Sequence, residues 1–455
     1  MQQGDDAQHL CIHNSKIRLV MVMNDHEVNV GILGLGTVGA GVAKILLTQQ
    51  ELLKTRSSLT FKLKSIAEIN WAVKRDLNLD GIQCLTDADA ILTDPEIDIV
   101  VETIGGYEPA FSFICRALRN RKHVVTANKA LIATRGRELF KIAKENEVDL
   151  LFEASVGGGI PIIKGLREGL IANRFESIYG ILNGTSNYIL TRMHQEELEF
   201  EEALREAQAK GFAEADPTLD IGGGDAAHKL TILGSLATSS MLDFNSLYVE
   251  GITSITKLDI NFAKSFGFTI KLLAIFRALD NGLDLRVHPT LIPNTHLLAA
   301  VNNELNAIFV KGDFIGNTMF YGPGAGERPT GSAIVSDIVD LSRDLLLKEG
   351  ERVSNPPIDP ERQMELAPIN KIRNRFYLRF FTYDKPGVLS KISGVLGEKG
   401  ISISSMVQLE THEKDNYVPI VLLTHKASEE AMEEALREIG KFDFVRDNYL
   451  RLRLF

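Results

Sequence analysis

Two lysines and a run of acids occupy settings where they could handle a proton. In KGFAEADPTLDIGGGDAAHK, residues 210–229, Asp225 and Lys229 are four apart, so on a helix they share a face. Glu214, Asp216 and Asp220 precede them on a stretch anchored by Pro217, and Gly222, Gly223 and Gly224 free the backbone just ahead of Asp225. A lysine closed off from water can lose part of its proton affinity and serve as a general acid and base. Carboxylates beside it, here Glu214, Asp220 and Asp225, can hold a substrate ammonium or orient the lysine. The set suits a molecule with an amino group and a hydroxyl or carbonyl. A plainer reading stays open, in which Asp225 caps the helix and Lys229 is its solvated partner. Converging acids could also ligate a metal.

Three other stretches carry chemistry. HVVTANKALIA, residues 123–133, sets Lys129 just past a strand's C-terminal end, where open α/β sheets place their ligands; a lysine at a helix start accounts for it equally. FEASVGGGIPII, residues 152–163, gathers Glu153 and backbone carbonyls around three glycines. Such a turn can hold a monovalent cation or let chain segments cross, and the residue chemistry favours the crossing. Gly34, Gly36 and Gly39 form G-x-G-x-x-G after the apolar run 28–33. Gly34 permits a tight turn, Gly36 lets the backbone approach a pyrophosphate, and Gly39 lets the helix sit close to the strand. The strand–turn–helix context is what gives this otherwise common pattern weight. At the end of the second strand, near residue 69, Glu68 would favour NAD, whereas Asn70 could face the ribose and Lys74 or Arg75 could reach a phosphate. NAD and NADP both stay open.

These groups need a frame. Strands alternate with helices up to about residue 154, which predicts a doubly wound, Rossmann-type parallel sheet. IPIIKGLREGL, EELEFEEALREAQAK and GDAAHKLTILGSLA then read as helices mixed with strands such as SIYGILNG and LRVHPTLIP, an α+β domain with an open sheet. Residues 375–455 read β-α-β-β-α-β, the ferredoxin-like order. The expected division is an extension over 1–27, a dinucleotide-binding domain over 28–154 completed by 321–349, a substrate and dimerisation domain over 155–320, a proline-rich linker over 350–374, and a terminal module over 375–455.

The 455 residues carry a formal net charge of −10, which argues against nucleic acid or a membrane surface as the main partner. Residues 28–47 approach the length of a membrane span, but Asn29, Lys44 and the glycines argue against one. The first residues lack the basic start and cleavage site of a secretory signal. Cys11, Cys84 and Cys115 are widely spaced and match no ligand pattern, so free thiols in a reducing, cytoplasmic setting are expected.

GILGLGTVGAGV, VVETIGG, VVTANKALIA, FEASVGGGIPII, ILNGTSNYIL, KGFAEADPTLDIGGGDAAHKL and GPGAGERPTGSAIVSD, in that order, resemble homoserine dehydrogenase over about residues 28–346. FTYDKPGVLSKISGVLGEKGISISS resembles an ACT domain, a small-molecule regulatory module. The resemblance implies NAD(P)-dependent interconversion of L-homoserine and L-aspartate 4-semialdehyde, in threonine and methionine biosynthesis. It implies Lys229 as proton donor and acceptor, Lys129 as its helper, and Glu214 and Asp225 as substrate contacts. Thr37, Val38, Thr103, Lys129, Gly211 and Gly326 would line the nucleotide. Glu153, Val156, Gly158 and Ile160 match the family's sodium-type site. L-Threonine would act through the ACT module near Tyr383, Asp384, Lys385, Pro386 and Gly387, although plain turn chemistry explains those residues equally. A homodimer or homotetramer is expected. Two alternatives remain: another ACT-bearing dehydrogenase, and an amino-acid sensor built on an inactive dehydrogenase fold. The family's arginine near Ile69 is missing, which weakens the case for NADP.

Overall fold

The computed structural model describes residues 27–73, 75–345, 358–362, 364–408, 417–446 and 449–455. The extension 1–26, Lys74, and residues 346–357, which include the start of the proline-rich linker 350–374, lie outside the described residues. The described residues form two compact units, one made from those within 27–171, 239–241 and 325–362, the other from those within 172–238, 242–324 and 364–455.

The first unit is built on six parallel strands: β1 (Glu27–Leu33), β2 (Thr60–Ala67), β3 (Gln83–Leu85), β4 (Ile99–Glu102), β5 (His123–Thr126) and β6 (Leu150–Leu151). Their order in the sheet is β3-β2-β1-β4-β5-β6. The order reverses between β1 and β4, and ligands of open α/β sheets bind beyond the strand ends at such a point. The strands are short apolar runs because helices cover both faces. Val28, Val30 and Ile32 of β1 join a core with Val42, Ala43 and Leu46 of α1 (Thr37–Thr48). Ile334, Ile338 and Leu341 of the late helix Glu327–Leu345 complete it. Gly41 and Gly331 allow that helix to lie on α1, since a Cβ at Gly331 would meet the Gly41 carbonyl carbon at 2.8 Å. Segment 28–47 therefore folds as strand, glycine turn and helix. Among the described residues no helix is long and apolar enough to cross a membrane. Two further helices, α2 (Ala110–Arg119) and α3 (Lys129–Glu145), follow β4 and β5.

Some elements differ from the pattern reading: a short strand, β3, lies at Gln83–Leu85, and the helix read in EELEFEEALREAQAK starts only at Phe200. β2 stops at Ala67, so Glu68 is the first residue past the strand. IPIIKGLREGL is helical as read, but only over residues 162–169, where an α turn (Ile162–Lys164) widens directly into a π turn (Gly165–Gly169) with the Leu170 N–H reaching the Gly165 carbonyl at 2.8 Å.

The second unit holds β7 (Phe175–Ile181), β8 (Tyr248–Val249), β9 (Phe268–Leu279), β10 (Gly282–Pro293), β11 (Leu305–Gly312) and β12 (Gly316–Pro323). Its terminal part adds β13 (Arg373–Tyr383), β14 (Ile403–Gln408), β15 (Tyr417–Thr424), the short β16 (Ala427–Ser428) and β17 (Leu450–Leu454). The main helices are α4 (Gly184–Glu196), α5 (Gly224–Thr238), α6 (Lys257–Ser265), α7 (Val388–Glu398) and α8 (Glu429–Ile439). The terminal module has the expected strand order β17-β13-β15-β14 and its own core around Phe376, Phe380, Ile392 and Leu436. It is not a separate sheet. β17 pairs in parallel with β10, Thr290 opposite Arg453 and Leu291 opposite Leu454, which joins both parts into one 11-stranded sheet. α5 is buried on all sides from Asp225 to Ser235. That is why the acid-rich loop runs into a helix without a solvated face, whose few polar side chains, Asp225, His228 and Lys229 among them, are buried.

Candidate active site

In the second unit, α5 projects Asp225 and Lys229 from the same face, one turn apart. Lys229 Nζ donates to Asp225 Oδ2 and to the Leu182 carbonyl, both at 2.7 Å. Both side chains are nearly enclosed, at 10% and 6% exposure, which rules out the solvated-partner reading. Asn183 Nδ2 bridges Asp225 Oδ2 at 2.9 Å and Asp220 Oδ1 at 2.7 Å. The Thr185 hydroxyl donates to Asp220 Oδ2 at 3.2 Å, and the Ser186 hydroxyl to the Asp220 carbonyl at 2.9 Å. Burial pushes the Asp220 carboxyl above its ordinary range, the Asn183 amide counteracts this, and the Asp225 charge adds to it. Asn306 Nδ2 holds the same Leu182 carbonyl at 2.9 Å. A lysine, two carboxylates and four hydrogen-bonding side chains thus converge where β7 ends.

The sequence makes this geometry locally. Asn183 ends the β7 segment and caps α4, accepting from the Ser186 N–H at 2.7 Å. Gly223 has φ +86°, a conformation that suits glycine, and a Cβ there would press on Val249 and Val287 at 3.2 and 3.3 Å. Glu214 lies exposed on the preceding loop, and its carbonyl accepts from Gln208 at 3.2 Å. Gly211, also exposed, has φ +75° just after the helix Phe200–Ala209. Neither belongs to the hydrogen-bonded cluster of Asp220, Asp225 and Lys229.

In the first unit, the turn after β1 is the second candidate. Gly34 has φ +92° and donates to the Ala67 carbonyl at 2.8 Å. Gly36 sits at the start of α1 with open space where a Cβ would be. At Gly39 a Cβ would strike the Gly34 carbonyl and Thr103 Oγ1, so the helix could not come this close with any larger residue. Thr37 opens α1 exposed, Val38 is half-buried, and Thr103 Oγ1 donates to the Gly34 carbonyl at 2.7 Å. A cavity of ≈ 390 Å³ beside them is lined by Gly34, Gly36, Glu68, Asp87, Thr103 and Phe113, among others. Glu68 accepts from the Leu35 N–H at 2.7 Å and the Asn70 N–H at 2.8 Å. Burial raises its proton affinity, but those N–H groups and Arg75 outweigh it and hold the carboxyl below the usual range. Arg75 Nε itself donates to the Leu35 carbonyl at 2.5 Å, while Ile69 is 89% exposed.

Lys129 is the first residue of α3, half-buried, at the C-terminal end of β5. Asn128 caps that helix and ties it to the Gly106 carbonyl at 2.8 Å. Buried Glu102 accepts from Ile104 and Gly105 N–H at 2.8 and 3.0 Å and from the Thr126 hydroxyl at 2.6 Å, fixing the loops after β4 and β5 together. Gly326, exposed at φ +118°, precedes the helix Glu327–Leu345. Glu153 is buried, and its carboxylate accepts from Ile163 N–H at 3.0 Å and Lys164 N–H at 2.7 Å. Gly157 and Gly158 take φ +72° and +56°, and Ile160 N–H returns to the Gly157 carbonyl at 2.9 Å. Among the described residues no three His, Cys, Asp or Glu side chains cluster as metal ligands. A cation at Val156, Gly158 and Ile160 would therefore rest on backbone oxygens.

A Rossmann-type sheet with this glycine turn in one unit, and an enclosed lysine among carboxylates in the other, define a dinucleotide-dependent oxidoreductase. Comparison with known proteins gives the family. The homoserine dehydrogenase NAD-binding family model matches residues 34–153, the homoserine dehydrogenase catalytic family model residues 161–339, and the ACT model residues 376–441. Homoserine dehydrogenase of Pseudomonas aeruginosa is 43% identical over 94% of this chain and 98% of its own; that of Bacillus subtilis is 41% identical over 92% and 96%. A crystal structure of a homoserine dehydrogenase from Thiobacillus denitrificans superposes with a TM-score of 0.90 at 44% identity, covering 94% of this chain and 98% of that one. A hyperthermophilic archaeal homoserine dehydrogenase in complex with NADPH superposes with a TM-score of 0.60 at 26% identity over 70% and 98%. The chain belongs to the homoserine dehydrogenase family, as an NAD(P)-dependent oxidoreductase with a C-terminal ACT domain.

Proposed function

We propose that Lys229 carries the proton in the interconversion of L-homoserine and L-aspartate 4-semialdehyde, with Asp220, Asp225 and Glu214 receiving the amino acid. The observation that carries this reading is the enclosed ammonium of Lys229, fixed at 2.7 Å from both Asp225 and the Leu182 carbonyl. In the reductive direction Lys229 gives a proton to the oxygen that leaves the carbonyl state, and in the oxidative direction it takes the hydroxyl proton. Asp225 orients the amine, Asn183 keeps the two carboxylates apart, and Asp220 supplies negative charge for a substrate ammonium. Lys129 acts as helper beside the coenzyme. The nicotinamide coenzyme, when bound, supplies the hydride. Gly34, Gly36, Thr37, Val38, Gly39 and Thr103 would hold it, with Lys129, Gly211 and Gly326 contributing. The open space at Gly36 and the adjoining cavity suit a dinucleotide. A 2′-hydroxyl could donate to Glu68, whereas a 2′-phosphate would stand against its charge, so NAD is the preferred form. Nicotinamide oxidation with aspartate semialdehyde, in the wild type and in Lys229→Met, tests the assignment. A variant that turns over at the wild-type rate would refute it.

The turn at Glu153, Val156, Gly158 and Ile160 is the candidate for a monovalent cation of the sodium type, and a rate unchanged when sodium replaces choline would dismiss it. L-Threonine is the proposed ligand of the ACT domain. Gly387 at φ +90° starts α7 with open space at its Cβ, and Gln408 Nε2 donates to Asp384 Oδ1 at 3.3 Å. A cytoplasmic homodimer or homotetramer completes the proposal, to be read from the mass of the assembly in solution.

A further inference from the structure

The carbonyl that holds the Lys229 ammonium is itself held. Leu182 follows β7, and its carbonyl accepts from Lys229 Nζ at 2.7 Å and from Asn306 Nδ2 at 2.9 Å. A carbonyl oxygen has two lone pairs, so these two donors fill it and fix its direction. The sheet register explains the meeting. β11 runs antiparallel to β7 with Ala307 opposite Ile181, which brings Asn306 to Leu182 one step past the last ladder pair. There the side-chain amide takes the place of a backbone donor. Since a carbonyl only accepts, the nitrogen end of the amide is the end that faces Leu182.

Asn306 is buried, and its neighbours set where the amide stands. Gly324 lies against it: a Cβ there would strike both Nδ2 and Cγ of Asn306, so a larger residue would push the amide away. The chain just before Asn306 is pinned to α4. Asn187 Nδ2 donates to the Leu305 carbonyl at 3.1 Å and to the Val301 carbonyl at 3.2 Å, and Asn303 N–H donates to Thr191 Oγ1 at 3.0 Å. Behind them, Lys271 Nζ of β9 donates to Asn187 Oδ1 at 3.0 Å. Asn306 Oδ1, by contrast, is buried with no hydrogen-bond partner among the described residues. A buried polar atom left unpaired costs stability, whereas an apolar side chain of the same shape would not. Leucine has that shape, and the Leu182 carbonyl would still keep Lys229 as a donor. The fold alone therefore gives no reason for an asparagine at this position.

We infer that Asn306 is a positioning residue for the proton step: its amide aims the Leu182 carbonyl at Lys229, and Gly324 leaves the room it needs. The inference rests on the reading of Lys229 as the proton carrier and deepens it. Lys229 is anchored to Asp225 on its own helix and to Leu182 at the end of a strand. Two anchors fix an amine on a flexible four-carbon stem, where one would leave it free to turn. If the Leu182 carbonyl swings away, the amine keeps its charged partner and loses its direction. A misplacement of about 1 Å at a reacting group can cost about 10²-fold in rate. The carboxylates assigned to the substrate, Asp220 and Asp225, are held by Asn183 and Thr185, so substrate binding should survive the loss of Asn306.

The test compares Asn306→Leu, Asn306→Ala, Gly324→Ala and the double variant Asn306→Ala/Gly324→Ala with the wild-type full-length chain in homoserine oxidation. In Asn306→Leu the single-turnover rate at saturating substrate should fall at least about 10-fold, with KM for homoserine and for the coenzyme within about 2-fold and a urea midpoint at the wild-type value or above. A residue that only supported the fold would lower the midpoint and leave the single-turnover rate of the folded fraction alone. If the leucine overpacks and does not fold, Asn306→Ala, which only removes atoms, gives the same kinetic reading. Gly324→Ala should reproduce the loss, because the group it displaces is the mobile end of Asn306, and it should cost nothing further once residue 306 carries no amide. A loss below about 10-fold in folded Asn306→Leu or Asn306→Ala, a KM that rises as much as the rate falls, or a Gly324→Ala loss that persists in full on Asn306→Ala would each overturn the inference. Lys229→Met at the wild-type rate would remove the reading beneath it, whereas an inactive Lys229→Met beside a fully active Asn306→Ala would remove the inference alone.

Discussion

Replacing Lys229 by Met keeps the length and the apolar stem and removes the ammonium. If Lys229 moves the proton, turnover should fall by about 10²–10⁴, the usual worth of a positioned acid or base, or roughly 3–5 kcal/mol of barrier. The same change strands Asp225, whose side chain is 6% exposed, without its cation at 2.7 Å. Breaking a buried pair from one side costs about 3–5 kcal/mol of stability. Asn183 still donates to the stranded oxygen at 2.9 Å, which places the loss near about 3 kcal/mol. A lower rate could then come from a damaged fold, and the double variant Lys229→Met/Asp225→Asn separates the two causes. With both charges gone, most of the stability should return in urea unfolding, but turnover should not. Coenzyme binding, read by nicotinamide fluorescence, should stay near wild type in both. A single variant retaining more than about a tenth of kcat, or a double variant that regains the rate with the stability, would refute the proton role.

Glu68→Gln should move the ratio of kcat/KM for NADPH over NADH upward by about 10-fold, because a negative charge facing the 2′ position is removed; steady-state rates with both coenzymes check this, and no change would place the discriminating group elsewhere. Gly223→Ala forces a side chain into φ +86° and against Val249, so KM for homoserine should rise with about 1–2 kcal/mol of stability lost and coenzyme affinity kept. Asn183→Ala removes a cap and the bridge between Asp220 and Asp225, and should lower kcat more than it lowers the unfolding midpoint. Burial depresses the Lys271 ammonium to about 7. A depressed base contributes stability that is full above its unfolded value and is lost as pH falls through about 7. Wild-type stability should therefore gain up to about 1.4 kcal/mol per pH unit above pH 7 relative to Lys271→Met; parallel urea profiles at pH 7, 8 and 9 would contradict it.

What the sequence revealed follows from the range of the interactions. The glycine turn was readable because its three residues act within one strand–helix connection. The Asp225–Lys229 pair was readable because a helix brings residues four apart together. Asn183 escaped because it reaches Asp220 and Asp225 from about forty positions away, although an asparagine directly after an apolar strand, in LNGTSN, was a signal for a cap. Glu102 escaped for a similar reason: it reads as the end of a strand, and only the tertiary pairing with Thr126 shows that it ties two loops. In β17 arginines alternate with leucines, the period-2 pattern of a strand with one wet face. Arg453 is buried because Glu429 and Glu250 arrive from α8 and from the residue after β8, which no local pattern contains.

The same buried arginine bears on what the ACT domain is to this enzyme. A module tethered only by its linker could be removed without effect on the rest of the chain. Here β17 occupies the edge of β10, Phe455 N–H closes on the Leu291 carbonyl at 2.9 Å, and Tyr377 and Arg379 hold Asp259 of α6 at 2.8 and 2.7 Å. Deleting residues 375–455 would leave the β10 edge open and Asp259 and Glu250 buried or half-buried without these cations. Loss of activity in such a truncation would report a broken sheet and would say nothing of a sensor. A point change at Asp384 leaves the sheet paired, so it can separate loss of an effector from loss of the fold.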